Sequence, residues 1–135
     1  DRFRTVESSV DWQLISGDDE LTVQGDPLQL RQVLVNLLKN AMEAGSTRVT
    51  IRGDMIYRGT VPYVRLMVRD DGEGIAADRA ASVFQPYDST RKRGSGLGLA
   101  VVQRIIYDHR GRIWFESQPG LGAVFYIDLP SGEKK

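Results

Sequence analysis

Two asparagines, Asn36 and Asn40, stand four residues apart in a segment whose apolar pattern predicts a helix. This spacing puts the two side chains one helical turn apart on the same face. A carboxamide oxygen is a hard, neutral donor, so it can hold Mg²⁺ without repelling a triphosphate. Taken alone, two surface asparagines are the commoner explanation, and the magnesium interpretation depends on residues elsewhere in the chain.

An acidic, glycine-containing segment, residues 70–75 (DDGEGI), follows a predicted strand. The Asp70 carboxylate can accept a hydrogen bond from the exocyclic amine of adenine. Gly72 and Gly74 would let a flat ligand approach the backbone closely. The segment therefore predicts an adenine pocket. The alternative, an acidic turn or a calcium loop, is weaker because the spacing does not match an EF-hand.

A glycine-rich segment, residues 94–99 (GSGLGL), precedes a second predicted helix. Unpaired backbone N–H groups at a helix start favour phosphate binding. The basic cluster 91–93 (RKR) lies just upstream, where it could neutralise triphosphate charge, although three basic residues in a solvated loop are commoner. The pattern is neither a P-loop nor a dinucleotide-binding fingerprint, so it is weak evidence by itself.

Two helices must position these segments. Asp26 and Pro27 suit the cap and first position of a helix, Gln29 completes a capping-box-like arrangement, and Gly45 is a natural stop. Both helices carry one apolar stripe that predicts packing on a core. The stripes are Leu30, Val33, Leu34, Leu37, Leu38 and Ala41 in the first, and Leu99, Val102, Ile105, Ile106 and His109, with a stop at Gly111, in the second.

The remaining segments read as strands. Residues 7–15 and 20–24 predict short strands, 47–57 and 61–68 predict a hairpin, and 113–116 and 123–129 predict two closing strands. Helices on one face of a mostly antiparallel sheet give an α+β fold.

Composition limits the function. The 135 residues fit one domain, within which we expect 1–8 to be a linker remnant and 131–135 a polar tail. Basic and acidic residues number 18 each, so no overall field favours nucleic acid or a membrane surface. Cysteine is absent, which excludes disulfides and thiolate metal sites. No apolar run approaches the length of a membrane span.

Taken together, the order and separation of these motifs resemble the nucleotide-binding boxes of the sensor histidine kinase catalytic domain, over residues 11–130. Residues 34–41 resemble the N box, 70–75 the G1 box, 83–87 the F box, 94–99 the G2 box and 119–122 the closing glycine motif. The short lid, residues 85–93, is most similar to the nitrogen-regulation-type branch.

The resemblance implies an α/β sandwich, a mixed sheet backed by three helices, that binds ATP and Mg²⁺ under a mobile lid. We expect Phe84 to be the inner anchor of this lid. It implies that Asn40 ligates Mg²⁺, that Asn36 supports it and that both are catalytic. Asp70 would contact adenine in a pocket shaped by Gly72, Gly74 and Ile75. The lid and phosphate contacts would come from Ser89, Thr90, Arg91, Gly94, Ser95, Gly96, Leu97, Gly98 and Leu99.

The resemblance also implies partners. The phosphoryl acceptor would be a histidine on a dimerisation domain upstream of residue 1, the parent protein a homodimer, and the next partner a response regulator. We expect no nucleic acid partner, no membrane contact by this domain and a cytoplasmic location, with a membrane anchor in the parent left open. Three positions depart from the family pattern: Glu43 for a basic residue, Arg91 for lysine and Ala123 for threonine.

Two rival functions remain. Related ATPases resemble a pattern with glutamate at the position of Asn36, where a carboxylate activates water and an amide cannot. A degenerate module that senses nucleotide without catalysis is the second. His109, the single histidine, could in principle accept the phosphoryl group, but packing or helix-end capping is the ordinary explanation for a histidine in this position.

Overall fold

The computed structural model describes residues 11–16, 21–85, 98–118 and 120–132. Within these ranges the chain forms an α+β fold, as predicted, and the three helices that the resemblance implied are two α-helices and one short 3₁₀ helix. The elements in chain order are β1 (Asp11–Ser16), α1 (Pro27–Glu43), β2 (Arg48–Arg58), β3 (Val61–Asp70), the 3₁₀ helix (Ala77–Ser82), α2 (Gly98–Asp108), β4 (Arg112–Gln118) and β5 (Gly122–Pro130).

The five strands form one mixed sheet in the order β1-β2-β3-β5-β4. Among the strands of the described ranges, only the β1–β2 pair is parallel. The predicted hairpin is confirmed, since β2 and β3 pair around a two-residue turn in which Gly59 has a φ of 61°. The predicted strand at 20–24 is reduced, within the described residues, to one bridge between Val23 and Ser131. Residues 7–10 and 17–20 lie outside the described ranges.

The helices cover one face of the sheet with the predicted apolar stripes. The buried core joins the two helices to β2, β3 and β5, and its largest members are Leu37, Ile106, Phe125 and Ile127. Full burial of such a side chain contributes about 1.5–3 kcal/mol. No helix in the described ranges has both the length and the apolar character that crossing a membrane requires.

The opposite face of the sheet is stabilised by arginines and aromatic rings. The Asp128 side chain is fully buried there and accepts two hydrogen bonds from the Arg65 guanidinium, at 2.8 and 2.9 Å, and another from Arg58. Trp114 stacks on Tyr126 with ring centroids 5.3 Å apart, and the Arg65 guanidinium lies over Trp114. A buried carboxylate is tolerated only when paired in this way.

The start of α1 is capped by two different residues. The Asp26 carboxylate accepts hydrogen bonds from the N–H groups of Leu28 (2.9 Å) and Gln29 (3.3 Å). The prediction that Gln29 would complete a capping box is wrong. The Asp26 N–H donates instead to His109 Nε2 at 3.1 Å, because the end of α2 brings the imidazole to that position.

His109 joins the two helices at this end. Its Nδ1 lies 2.8 Å from the Ile105 carbonyl oxygen, and its Nε2 faces the Asp26 N–H, so the contacts fit the tautomer protonated on Nδ1. The packing is tight, since a Cβ at Gly25 would come within 2.4 Å of the ring. The predicted explanation of His109, packing and helix-end capping, is confirmed.

Candidate nucleotide-binding site

One row of residues crosses the end of the sheet on the side of the helices. The strand register places Asp70 of β3 opposite Ala123 of β5, and Ala123 opposite Ser117 of β4. Because neighbouring strands lie about 4.8 Å apart, the row spans roughly 10 Å. Val68, Phe125 and Phe115, two residues further into the same strands, belong to or pack against the core. The row is therefore where the core meets the candidate site.

Asp70 is a buried acid at one end of this row, with 5% of its surface exposed. Burial raises the pKa of its carboxyl, and the hydrogen bond from the Gly72 N–H, 2.8 Å long, opposes that shift. The buried Ser46 hydroxyl also attracts the carboxylate, although its geometry falls short of an ordinary hydrogen bond. A carboxyl whose donors only partly offset its burial is suited to receive a further donor from a ligand.

The neighbouring acid, Asp71, has a structural task. Its exposed carboxylate accepts hydrogen bonds from the Thr47 N–H, the Thr47 hydroxyl and the Arg48 N–H, at 2.8, 2.8 and 3.0 Å. These donors lower the pKa of Asp71. Asp71 thus fixes the start of β2, and Asp70, the acid that we predicted to contact adenine, is the one that faces the site.

The segment after Asp70, residues 71–76, forms an arch over the end of the sheet. The Glu73 N–H donates to the Ala44 carbonyl at 3.0 Å, and the Glu73 carbonyl accepts from the Gly120 N–H at 2.7 Å. Beyond it, the Ile75 N–H donates to the Ser117 hydroxyl at 2.6 Å. The arch is therefore fastened to the end of α1 on one side and to β4 and the β4–β5 turn on the other.

The glycines in and under the arch are required by contacts within the protein. A Cβ at Gly72 would lie 2.7 Å from the Ala44 carbonyl oxygen and 2.8 Å from Ser46 Oγ. A Cβ at Gly122 would lie 2.1 Å from the Asp70 carbonyl oxygen, and the φ of Gly122 is 108°. Gly74 has a φ of 78°. Gly72 thus has a structural reason, the close approach of the end of α1 and of the α1–β2 link, and the close approach of a ligand to Gly72 stays a prediction.

The two predicted magnesium-site asparagines differ in what they contact. Asn36, 8% exposed, accepts from Gln32 Nε2 at 2.7 Å and donates to the Gly98 carbonyl at 3.1 Å. Its carboxamide therefore links α1 to the start of α2. Asn40 is half-buried one turn further on, and no described residue makes a polar contact with its side chain.

Most of the predicted lid lies outside the described ranges. This applies to Pro86 and Tyr87 of the F box and to Ser89, Thr90, Arg91, Gly94, Ser95, Gly96 and Leu97, and the mobility of the lid stays a prediction. Gly98 opens α2, and Leu99 is 3% exposed in the core, so only the Leu99 backbone could face a nucleotide. Phe84, which precedes the predicted lid, packs edge-on against Phe115 and Phe125, and its role as the inner anchor of the lid stays a prediction.

An open cleft of about 280 Å³ lies at the same end of the sheet. Asp70, Ser117 and Ala123 line it from the helix-facing row, whereas Arg69, Glu116 and Val124 line it from the opposite face. The cleft thus lies beside the row and extends around the end of the sheet to its other face. The candidate site consists of the row, the arch, Asn36 and Asn40, and the cleft forms its solvent-facing edge.

Two residues of the candidate site, Ser117 and Ser46, were not predicted from the sequence. Ser117 follows Ile113 and Phe115 at alternate positions, so a polar residue on the inward face of β4 was a usable signal. Ser46 lies in the link between α1 and β2, where no periodic pattern distinguishes a buried hydroxyl from an exposed one.

The family model described as histidine kinase-, DNA gyrase B- and HSP90-like ATPase matches residues 25–133. The chain belongs to this family. As a member of the histidine kinase-, DNA gyrase B- and HSP90-like ATPases it is an ATP-binding domain, and the predicted resemblance to the catalytic domain of sensor histidine kinases is confirmed.

Sensor histidine kinases are among the members of this family to which the chain is similar. The chain is 44% identical over 122 residues to the sensory histidine kinase/phosphatase NtrB of Rhodobacter capsulatus, covering 82% of this chain and 34% of that protein. The nucleotide-free catalytic domain of the histidine kinase ThkA superposes with a TM-score of 0.77 at 32% identity, covering 90% of this chain and 79% of that one. Full-length ShkA in complex with AMPPNP gives a TM-score of 0.79 at 30% identity, covering 93% and 26%.

Proposed function

We propose that this domain binds MgATP and transfers the γ-phosphoryl group to a histidine on a separate dimerisation domain, from which a response regulator receives it. The chain spans 16% to 34% of the length of its curated relatives, so the activity of the whole protein is an inference. The proposal includes a homodimeric parent, because the acceptor histidine would lie on a dimerisation domain. It also includes a cytoplasmic location, because ATP is the phosphoryl donor. The observation that carries it is the identity and bonding of Asn36.

Asn36 favours transfer over hydrolysis. In this resemblance its position is the one where ATPases carry a water-activating glutamate, and a carboxamide cannot take a proton from water. The Asn36 amide is also engaged by Gln32 and by the Gly98 carbonyl. An acceptor imidazole is nucleophilic without such a base, so positioning and electrostatic stabilisation can supply most of the catalysis.

Asp70 and the arch would hold the base of the nucleotide, and Asn40 its metal. The buried Asp70 carboxylate suits the exocyclic amine of adenine, a donor that guanine does not present at the same position. The half-buried Asn40 carboxamide suits a Mg²⁺ ion that already carries phosphate oxygens, because a neutral ligand does not repel them. Bound Mg²⁺ would neutralise charge that develops on the phosphoryl group.

The proposal is tested by mixing this domain with the parent's dimerisation domain and radiolabelled ATP. We expect slow hydrolysis by this domain alone, and acid-labile, base-stable label on the other domain when both are present. The matched control is a dimerisation domain whose acceptor histidine is replaced by glutamine. Fast hydrolysis by the isolated domain would favour the ATPase, label on His109 would contradict an acceptor elsewhere, and ATP binding without either reaction would favour the nucleotide-sensing module.

A further inference from the structure

We propose that Ser117 is a positioning residue for nucleotide recognition, which holds the far end of the adenine-binding arch, residues 71–76, and thereby sets base selectivity. The inference rests on the proposed function, because it presumes that Asp70 and the arch receive adenine. Ser117 lies outside the motifs assigned to nucleotide binding and acts through the backbone of Ile75.

The strand order explains why a residue of β4 reaches this arch. The arch leaves β3 after Asp70, passes the end of β5 and meets β4, which is two strands away. Asp70, Ala123 and Ser117 form one row beneath it. The two ends of the row thus contact the two ends of the arch, Asp70 by chain continuity and Ser117 by its hydroxyl.

The two ends of the arch are held differently. Near Asp70, the Asp71 carboxylate takes three hydrogen bonds from Thr47 and Arg48, and the Glu73 N–H is bound to the Ala44 carbonyl. At the far end, the Glu73 carbonyl accepts from the Gly120 N–H, and beyond Gly74 the Ile75 N–H is bound by Ser117. Gly74, with its φ of 78°, lies between the hydrogen bonds of Glu73 and that of Ile75. Loss of the Ile75 bond would let the backbone at Gly74 change its conformation.

A hydroxyl is the group that this position needs. Ser117 Oγ accepts from the Ile75 N–H at 2.6 Å and donates to the Gly122 carbonyl at 3.1 Å. One atom thus joins the arch to the β4–β5 turn, whose Gly122 lies against the Asp70 backbone. Removing the hydroxyl would break its bonds to the Ile75 N–H and the Gly122 carbonyl, while Asn36 would keep its contacts with Gln32 and Gly98.

The test compares wild type with Ser117→Ala, with Ser117→Thr, which keeps a hydroxyl, and with Ser82→Ala. Ser82 is a matched control, since it is also half-buried and its hydroxyl donates to a backbone carbonyl, that of Arg79 at 3.1 Å. Calorimetry would measure the affinities of ATP and GTP with and without Mg²⁺. Amide hydrogen exchange would follow the Ile75 N–H.

We expect Ser117→Ala to lower ATP affinity by about tenfold, the loss that one unsatisfied hydrogen bond produces. The preference for ATP over GTP should fall with it, whereas the ratio of affinities with and without Mg²⁺ should stay unchanged. Exchange at Ile75 should accelerate. Ser117→Thr should restore both affinity and exchange protection, and Ser82→Ala should behave as wild type.

Several outcomes would overturn the inference. One is an unchanged preference for ATP over GTP in Ser117→Ala. Another is a folded Ser117→Thr that loses as much ATP affinity as Ser117→Ala, and a third is the same loss of affinity and selectivity in Ser82→Ala. If Ser117→Ala fails to fold, nucleotide affinities of Ser117→Thr and amide exchange of the wild-type protein test the inference instead. Rapid exchange of the wild-type Ile75 N–H would contradict its hydrogen bond to Ser117 directly. Failure of wild type to bind ATP would instead remove the proposed function, so the two failures are distinguishable.

Discussion

At the scale of single residues, Asp70 and Asp71 show how different surroundings change two identical carboxyl groups. The two residues are neighbours in the chain, yet three donors lower the pKa of Asp71 whereas burial raises that of Asp70. A carboxylate that is poorly solvated in the free protein gains more from a ligand donor than an exposed one does. Local environment therefore assigns the two acids different roles.

Asp70→Asn should weaken ATP binding by roughly tenfold or more without unfolding the domain, because a hydrogen bond to a charged acceptor is lost. Because the pKa of Asp70 is raised in the folded protein, the folded state holds the carboxyl proton more tightly than the unfolded state does. The contribution of this proton to folding stability is therefore lost as pH rises through the folded pKa, above which the carboxylate is charged. Asparagine resembles the protonated acid, so the variant should be at least as stable as wild type at neutral pH.

The same pKa gives a pH signature. Wild-type ATP affinity should fall as pH drops through the raised pKa of Asp70, at a higher pH than an ordinary aspartate would give, while the Asp70→Asn affinity stays low and flat. Calorimetry across this range, with urea unfolding in parallel, checks both parts. Normal ATP binding by Asp70→Asn would remove the residue from the base pocket.

Asn40 should act on the metal and not on the base. For Asn40→Ala we expect the gain in ATP affinity on adding Mg²⁺ to shrink by about tenfold, as loss of a metal ligand or its support does. Affinity without the metal should change little. Gln29→Ala is the control, since Gln29 is an exposed amide side chain on the same helix. An undiminished Mg²⁺ effect in Asn40→Ala would show that another group holds the ion.

At the scale of elements, α1 and α2 run side by side and are joined by a polar contact near each end of α2. His109 joins them where α1 begins, and Asn36 joins them where α2 begins. Apolar packing between these points is non-directional and would allow some sliding. The two polar ties fix the axial position of one helix against the other, and with it the distance between Asn40 and the start of α2.

His109→Asn and His109→Gln separate the two contacts of the imidazole. The glutamine amide can reach the position of Nε2 and accept from the Asp26 N–H, whereas the asparagine amide reaches only the position of Nδ1. We expect His109→Asn to lower the free energy of unfolding by about 1 kcal/mol, the size of a lost helix-cap hydrogen bond, and His109→Gln to lose less. Urea unfolding measures both, and equal losses would mean that ring packing against Gly25 dominates.

The elements themselves were predictable where the pattern is local. Periodicity located both helices, their apolar faces and the β2–β3 hairpin, because side-chain burial in these elements depends on neighbours a few positions away. The cap of α1 was predicted only in part. The Asp26 N–H binds a residue 83 positions away, which displaced the local choice, Gln29. In the same way the Ile75 N–H binds Ser117, 42 positions away, so no local motif contains that contact.

At the scale of the whole molecule, function is divided between the two faces of the sheet. The helix-facing side ends in the row that supports the arch, whereas the other side is closed by the Asp128 cluster and the stacked aromatic rings. The family was predictable from motif order, and the same motifs supplied Asp70 and the two asparagines as candidate site residues. The register that aligns Asp70, Ala123 and Ser117 was not predictable, because it follows from the pairing of strands that are distant in sequence.

The position of β5 has a consequence for how the protein is made. This strand is the last of the described strands, yet it lies inside the sheet between β3 and β4. During synthesis, β4 therefore leaves the ribosome before the strand that connects it to the rest of the sheet. Ser117 can meet the Ile75 N–H only after β5 has inserted, so a nascent chain that ends before residue 122 has the N, G1, F and G2 boxes but lacks the contact that holds residues 71–76 against β4.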